Sequence, residues 1–213
     1  MLVKICGITG VEDAIFCFEA GADMLGFVFA ASPRSVTESR AGTIIRRLPE
    51  GVSKVGVFLD QPMKEVAGTA SRLGLNFIQL HGDESADFCL ELYEKTGIGI
   101  IKAVCVGDKN DLEQVEQYTL DSVSFILLDS RVKGNRGGTG KTFPWDMVEE
   151  YPGPGDRLIV AGGLTCDNVR EAVKRLAPAG VDVSSGVEKK SSPGVKDFSK
   201  VRRFISEAKA QTA

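Results

Sequence analysis

The sequence predicts an α/β fold, a single (β/α)8 barrel of the TIM type spanning residues 1–213. Short, β-rich apolar runs alternate with amphipathic helical patterns from end to end, and eight such strand-then-helix units in 213 residues sit at the compact end of that barrel's size range. Several runs are almost continuously apolar, as in MLGFVF at 24–29 and FILL at 125–128, which suits parallel strands covered by helices. The stretch Cys6-Gly7-Ile8-Thr9-Gly10 after the first run lacks the GxGxxG turn of an open doubly wound sheet, the structural competitor. No Pro/Gly/Ser-rich linker, tandem repeat or low-complexity tract divides the chain, so one catalytic domain is expected.

The expected strands are Leu2–Cys6, Met24–Phe29, Lys54–Leu59, Phe77–Leu80, Ile98–Val104, Ser124–Asp129, Leu158–Ala161 and Val181–Ser184. Between them lie helix signals. Thr9 followed by Glu12 reads as a capping box, after which Val11, Ala14, Ile15 and Phe18 share one helical face. Asp60 with Pro62 opens a further helix, since Pro suits a first turn. Thr165 precedes Val169, Ala172, Val173 and Leu176, and Asp197 precedes Val201, Phe204, Ile205 and Ala208, at the same spacing.

Composition narrows the function. A net charge of -3 offers no basic face for nucleic acid, and no apolar run approaches the ~18 residues of a bilayer span. The N-terminus has no signal-peptide pattern, so a cytoplasmic location is expected. Five cysteines, odd in number and without a CxxC, point to free thiols in a reducing compartment. The single histidine, His81, excludes a centre of several imidazoles, and no metal site is expected.

In a barrel the reactive groups stand at the C-terminal ends of strands. Lys4 and Cys6 share a face at the end of the first, placing a thiol at the rim with an ammonium beneath that favours its ionised form. Cys17, Cys89, Cys105 and Cys166 read as buried packing residues. Asp129 ends the sixth strand, before a long glycine-rich segment from Ser130 to Lys141; a carboxyl at an apolar rim is a candidate acid. Gly162-Gly163 and Asp182-Val183-Ser184-Ser185-Gly186 follow the seventh and eighth strands, where barrels often bind phosphate on loop amides and a short extra helix. Gln79 and His81 share a face at the end of the fourth strand, with His81 serving catalysis or pocket shape, and Arg34 lies in a loop near the same rim, within reach of a carboxylate or phosphate. GGTGKT at 137–142 imitates a nucleotide-binding loop, but Asn135 stands where that motif needs Gly.

The motifs KICGIT (4–9), GADMLGFVF (21–29), SPRSV (32–36), VGVF (55–58), QLHGDE (79–84), LLDS (127–130), GGTGKTF (137–143), AGGLTCDNV (161–169) and DVSSGVE (182–188) run in order over essentially the whole chain. Together they resemble the phosphoribosylanthranilate isomerases of tryptophan biosynthesis. Pro193-Gly-Val-Lys-Asp197 also looks like that family's lead into its last helix, while Pro144 departs from the acidic residue more usual there. The resemblance implies an Amadori rearrangement of N-(5-phosphoribosyl)anthranilate to 1-(2-carboxyphenylamino)-1-deoxyribulose 5-phosphate. It implies Cys6 as general base, Asp129 as general acid, Arg34 on the anthranilate carboxylate, and phosphate at the loops around Gly163 and Ser185-Gly186. Cofactors are none in this reading, and the partner is a small-molecule substrate, bound by a monomer or homodimer. The alternatives are the related histidine-pathway isomerase, against which Cys6 argues because an aspartate is expected there, and a non-catalytic phosphate-binding barrel.

Overall fold

The computed structural model describes residues 1–132, 135–136, 145–149 and 155–210. Eight parallel strands form its sheet: β1 (Leu2–Cys6), β2 (Met24–Val28), β3 (Ser53–Phe58), β4 (Phe77–Leu80), β5 (Gly99–Val106), β6 (Val123–Val132), β7 (Leu158–Val160) and β8 (Gly180–Val183). Each pairs with the next, and β8 pairs back onto β1 through Leu2↔Gly180 and Lys4↔Asp182, closing the sheet into a barrel. A two-residue strand, Asn135–Arg136, runs antiparallel to the end of β6.

The helices are α1 (Val11–Glu19), α2 (Glu38–Ile45), α3 (Met63–Leu73), α4 (Ala86–Thr96), α5 (Lys109–Glu113), α6 (Asp146–Glu149), α7 (Val169–Leu176) and α8 (Phe198–Lys209). Alternation of side chains along the strands separates two cores. Val3, Ile5, Leu25, Ile78 and Ile100 point outward into the larger core beneath the helices, which bury Ala14, Cys17, Val66, Val173 and Phe204 against them. Met24, Val55, Ile101, Ala103, Leu127, Ile159 and Ala161 point inward and, with Leu2, Phe77 and Phe125, plug the barrel; Phe77 and Phe125 meet edge to face at 5.8 Å. The strands therefore fill the lower barrel with hydrocarbon and leave polar inward positions at the upper rim.

Asp197 caps α8 as expected, accepting from Ser199 N and Lys200 N. The capping box at Thr9 does not form. Gly10 is the first residue before α1, and the Thr9 hydroxyl donates to the Gly194 carbonyl at 2.6 Å, because the chain before α8 folds back over this loop. Asn168, rather than Thr165, immediately precedes α7, and its Oδ1 accepts from Thr165 N. The sixth strand runs past Asp129 to Val132, its extra residues taken up by the antiparallel partner.

Leu127 is fully buried in the barrel plug. Leu127→Ala should destabilise the fold by about 2–5 kcal/mol through lost burial and an unfilled cavity. Guanidinium unfolding would show a lowered midpoint with the slope unchanged.

Candidate active site

The inward parity that carries Leu2 into the plug carries Lys4 to the next layer and Cys6 to the rim. In the same way Phe77 leads to Gln79 and His81, Ala103 to Cys105, and Leu127 to Asp129. Cys105 is in register with Asp129 across β5 and β6. A thiol, an imidazole, a second thiol and a carboxyl thus line one opening.

Lys4 Nζ donates to Asp182 Oδ1 at 2.9 Å, with both side chains buried. Burial works against the Lys4 charge, but the Asp182 carboxylate and the Cys6 sulfur outweigh it and raise the lysine above its ordinary value. For Cys6 the balance corrects the sequence expectation. Burial pushes its thiol up, Lys4 and Lys196 pull it down, Asp182 pushes it up, and the net shift is upward from 9.0. The ammonium beneath the thiol acts in the expected sense, but desolvation is the larger effect, and the Asp182 carboxylate paired with Lys4 works against it.

Asp129 is 7% exposed, and its Oδ1 accepts from Ser130 N at 2.7 Å. Its Oδ2 lies 3.3 Å from His81 Nε2, an ion-pairing distance, although that nitrogen is not aligned for a hydrogen bond. On the other side of the ring, the Gln79 amide contacts His81 Nδ1 at 3.0 Å. Burial pulls the His81 value down, but the Asp129 carboxylate and the Cys105 sulfur beside the ring outweigh it and raise it from 6.5 to about 9. The contacting atom is Gln79 Nε2 and its Oε1 has no partner, so a ring protonated on both nitrogens requires the amide turned over to let Oε1 accept from Nδ1. Gly162 stands over this pair at φ 76°; a Cβ there would lie 2.7 Å from Asp129 Oδ1, so the loop reaches the acid only as glycine.

Gly162, Gly163, Ser184, Ser185 and Gly186 line one cleft, with Asp129 and Asp182 on the same wall. Ser185–Val187 forms a short 3-10 helix, the extra helix expected after the eighth strand. A Cβ on Gly186 would strike the Leu164 carbonyl, so the two loops are pressed together by its absence. Asn168 Nδ2 donates to the Gly163 carbonyl and steadies the first loop. Ser184 Oγ donates to the Cys6 carbonyl at 3.2 Å, joining the second loop to the end of β1. Asp182 is committed to Lys4 and forms the floor beneath the loops.

Arg34 does reach a carboxylate, but one of its own chain: its Nε and Nη2 donate to Glu188 Oε1 and Oε2 at 2.7 and 2.9 Å. Glu188 and Lys196 were not singled out in the sequence, although both lie within its quoted motifs, because only the turn after β8 brings them beside Arg34. Cys105 was read as packing; its parity with Ile101 and Ala103 is the signal that places it at the rim. Behind His81, the buried Lys102 Nζ donates to the Gly82 carbonyl at 2.6 Å and Glu84 Oε2 at 2.9 Å. Of the segment expected as a glycine-rich loop, 133–134 and 137–144, including the GGTGKT imitation, lie outside the described residues.

The profile of a family described as N-(5'-phosphoribosyl)anthranilate (PRA) isomerase matches residues 3–207. A protein of Geotalea uraniireducens named N-(5'-phosphoribosyl)anthranilate isomerase is 50% identical over 210 residues, 97% of this chain and 98% of that protein. One of the same name from Pelobacter propionicus is 46% identical over 97% of this chain and 95% of its own length. Among solved structures, the phosphoribosyl anthranilate isomerase of Thermotoga maritima superposes with a TM-score of 0.88 at 41% identity, covering 99% of both chains. A phosphoribosyl anthranilate isomerase in complex with reduced 1-(o-carboxyphenylamino)-1-deoxyribulose 5-phosphate gives 0.84 at 39% identity, covering 99% of this chain and all of that one.

The raised His81 value has a consequence for stability. Its folded value of about 9 lies above the ordinary 6.5, so the protonated ring stabilises the fold fully below about pH 6.5 and loses that contribution as pH rises through about 9. His81→Asn should remove this dependence. Denaturant unfolding of both proteins across that window checks it, the expected result being a difference in stability that shrinks toward alkaline pH.

Proposed function

The chain belongs to the N-(5'-phosphoribosyl)anthranilate isomerase family, and we propose that it converts N-(5-phosphoribosyl)anthranilate to 1-(2-carboxyphenylamino)-1-deoxyribulose 5-phosphate in tryptophan biosynthesis, residues 1–213 acting as one barrel domain. The observation that carries the reading is the inward placement of the Cys6 thiol and the Asp129 carboxyl at one rim, beside the paired glycine and serine loops.

Ring opening needs a proton at the ribose ring oxygen as the C1–O bond breaks and the anilino nitrogen supplies electrons to C1. Asp129 delivers it, the proton reaching its carboxylate from the neighbouring His81 imidazolium, 3.3 Å away. The resulting protonated imine acidifies the hydrogen on C2. Cys6 removes that proton as thiolate, and the enolamine takes up a proton at C1 while its C2 hydroxyl gives one up, leaving the ketone. Burial raises the thiol, but the positive charge of the imine develops beside it and favours its ionisation. The substrate nitrogen donates electrons in ring opening and, as the protonated imine, accepts them when C2 is deprotonated.

Phosphate is assigned to backbone amides of the loops around Gly163 and Ser185-Gly186, and the anthranilate carboxylate to the edge of Arg34 that Glu188 leaves free. Free thiols at all five cysteines support a reducing compartment, for which the cytoplasm is proposed. No helix among the described residues is long and apolar enough to cross a membrane. The partner is a small molecule, and the protein works as a monomer or homodimer; a Thermotoga maritima relative is described as dimeric.

The test is a coupled fluorescence assay with phosphoribosylanthranilate on the purified chain; no turnover would remove the reading in favour of a binding barrel. Cys6→Ser and Asp129→Asn should each fold normally and lose about 10²–10⁴-fold in kcat. His81→Asn should lose less than either, and near wild-type turnover in Cys6→Ser would move the base elsewhere. Arg34→Ala should raise KM by roughly 10- to 150-fold, the equivalent of a charge-assisted carboxylate contact. An unchanged KM would show that Arg34 serves Glu188 alone.

A further inference from the structure

Two charged residues outside that assignment join its parts together. Lys196 is fully buried, and its Nζ donates to the Cys6 carbonyl at 2.6 Å, the Ser184 carbonyl at 3.3 Å and Glu188 Oε1 at 3.2 Å. Those three bonds exhaust the donors of an ammonium. Glu188 is 6% exposed and takes Arg34 on both oxygens while sharing Oε1 with Lys196. The pair is set by the backbone: Glu188 and Lys196 form an antiparallel bridge, flanked by Lys189 N to the Val195 carbonyl and Asp197 N to the Val187 carbonyl. Asp13 on α1 accepts from Lys196 N and anchors that turn to the barrel. Gly7 completes the arrangement, because the Arg34 side chain crosses directly over it: a Cβ there would lie 2.7 Å from Arg34 Cδ.

A solvent-exposed ion pair would be worth little here, but a buried charge with two donors on neighbouring strand ends and the third on Glu188 is a rigid device. We infer that Glu188 and Lys196 are positioning residues for the rearrangement, an inference that rests on the isomerase reading: Lys196 fixes the strand end that carries the Cys6 base, and Glu188 holds the Arg34 guanidinium so that only its unpaired edge meets the substrate carboxylate. The two act on different steps. Loosening Lys196 disturbs proton removal, whereas loosening Glu188 disturbs capture of the anthranilate end.

Lys196 also acts through charge. The charged groups around the Cys6 thiol are Lys4 on its own strand, Asp182 on β8, Arg34 after β2 and Lys196 after β8. Lys4 and Lys196 are the cations that oppose burial of the thiolate, and Lys4 is already paired with Asp182. Removing the Lys196 charge therefore moves the thiol titration upward, which a purely structural bolt would not do.

The experiment uses the full chain with Lys196→Met, Lys196→Gln and Glu188→Gln, folding being checked by circular dichroism and thermal melting. Lys196→Met should lower kcat by roughly 10- to 100-fold with KM little changed, and should shift the pH profile of Cys6 alkylation by iodoacetamide upward by about one unit. Lys196→Gln keeps a donor without the charge, so it should recover part of kcat while retaining the alkylation shift. If Lys196→Met does not fold, Lys196→Gln carries the same test. Glu188→Gln should raise KM by about tenfold with kcat little changed. Alkylation is read peptide by peptide in the absence of substrate, so it stands even if the wild-type chain fails to turn over phosphoribosylanthranilate, an outcome that removes the isomerase reading instead. An unshifted alkylation profile with activity lost by the same factor at every pH would overturn the role of Lys196, and an unchanged KM in Glu188→Gln would overturn that of Glu188.

Discussion

The seam where the last strand meets the first is the constraint on which the rest of the molecule depends. A barrel escapes having sheet edges only if β8 hydrogen-bonds to β1, and here that pairing sets Lys4 opposite Asp182 inside the closed sheet. Their 2.9 Å ion pair is buried, so removing either partner would leave an uncompensated charge costing on the order of 3–5 kcal/mol. Register and charge therefore enforce each other: a one-residue slip would turn Lys4 out toward the helices and leave Asp182 unpaired. Two residues further along each strand stand Cys6 and Ser184, which inherit their places from this pair and are tied to each other through the Cys6 carbonyl.

The division of the interior into a hydrocarbon plug and a polar rim is what makes those positions chemical. Phe77, Ile101, Phe125 and Leu127 keep water from below, so the groups above them interact at short range in a poorly screening medium. The same enclosure acts oppositely on the two candidate proton carriers. It raises the Cys6 thiol and lowers the His81 ring, on which the Asp129 carboxylate and Cys105 override it and hold the proton. For the proposed chemistry the thiol must still give up its proton and Asp129 must receive one from the His81 ring, so substrate binding has to redistribute both.

The mouth is also stiffened from behind. Lys102 binds the Gly82 carbonyl and Glu84, and Glu84 in turn accepts from Asp60 N and Gly82 N, so the turn after β4 cannot carry His81 away from Asp129 without exposing a buried ion pair. Glu188 and Lys196 do the same work on the opposite side of the opening. Binding geometry at such a site rests on residues that touch no substrate, which is why a reading confined to strand ends overlooks them.

Much of this was legible in the residues alone, and the reason is periodicity. Apolar runs of strand length and the alternation of Leu2, Lys4 and Cys6, or Leu127 and Asp129, follow from local sterics, so the barrel, its rim and the inward placement of Cys6 and Asp129 could be read without a third dimension. Even the error at Thr9 is local chemistry outbid, its hydroxyl being taken by the Gly194 carbonyl of a segment 185 residues away. What no local pattern contains is the partner of each charge. Arg34 belongs to Glu188, Lys4 to Asp182, Lys196 to the Cys6 carbonyl, and the direction of the Cys6 titration follows from how these fields sum against burial. The order of residues determines which face each side chain takes, because that depends on backbone geometry over a few residues. Closure of the barrel decides which charges meet, because only folding brings distant strand ends into one poorly screened volume.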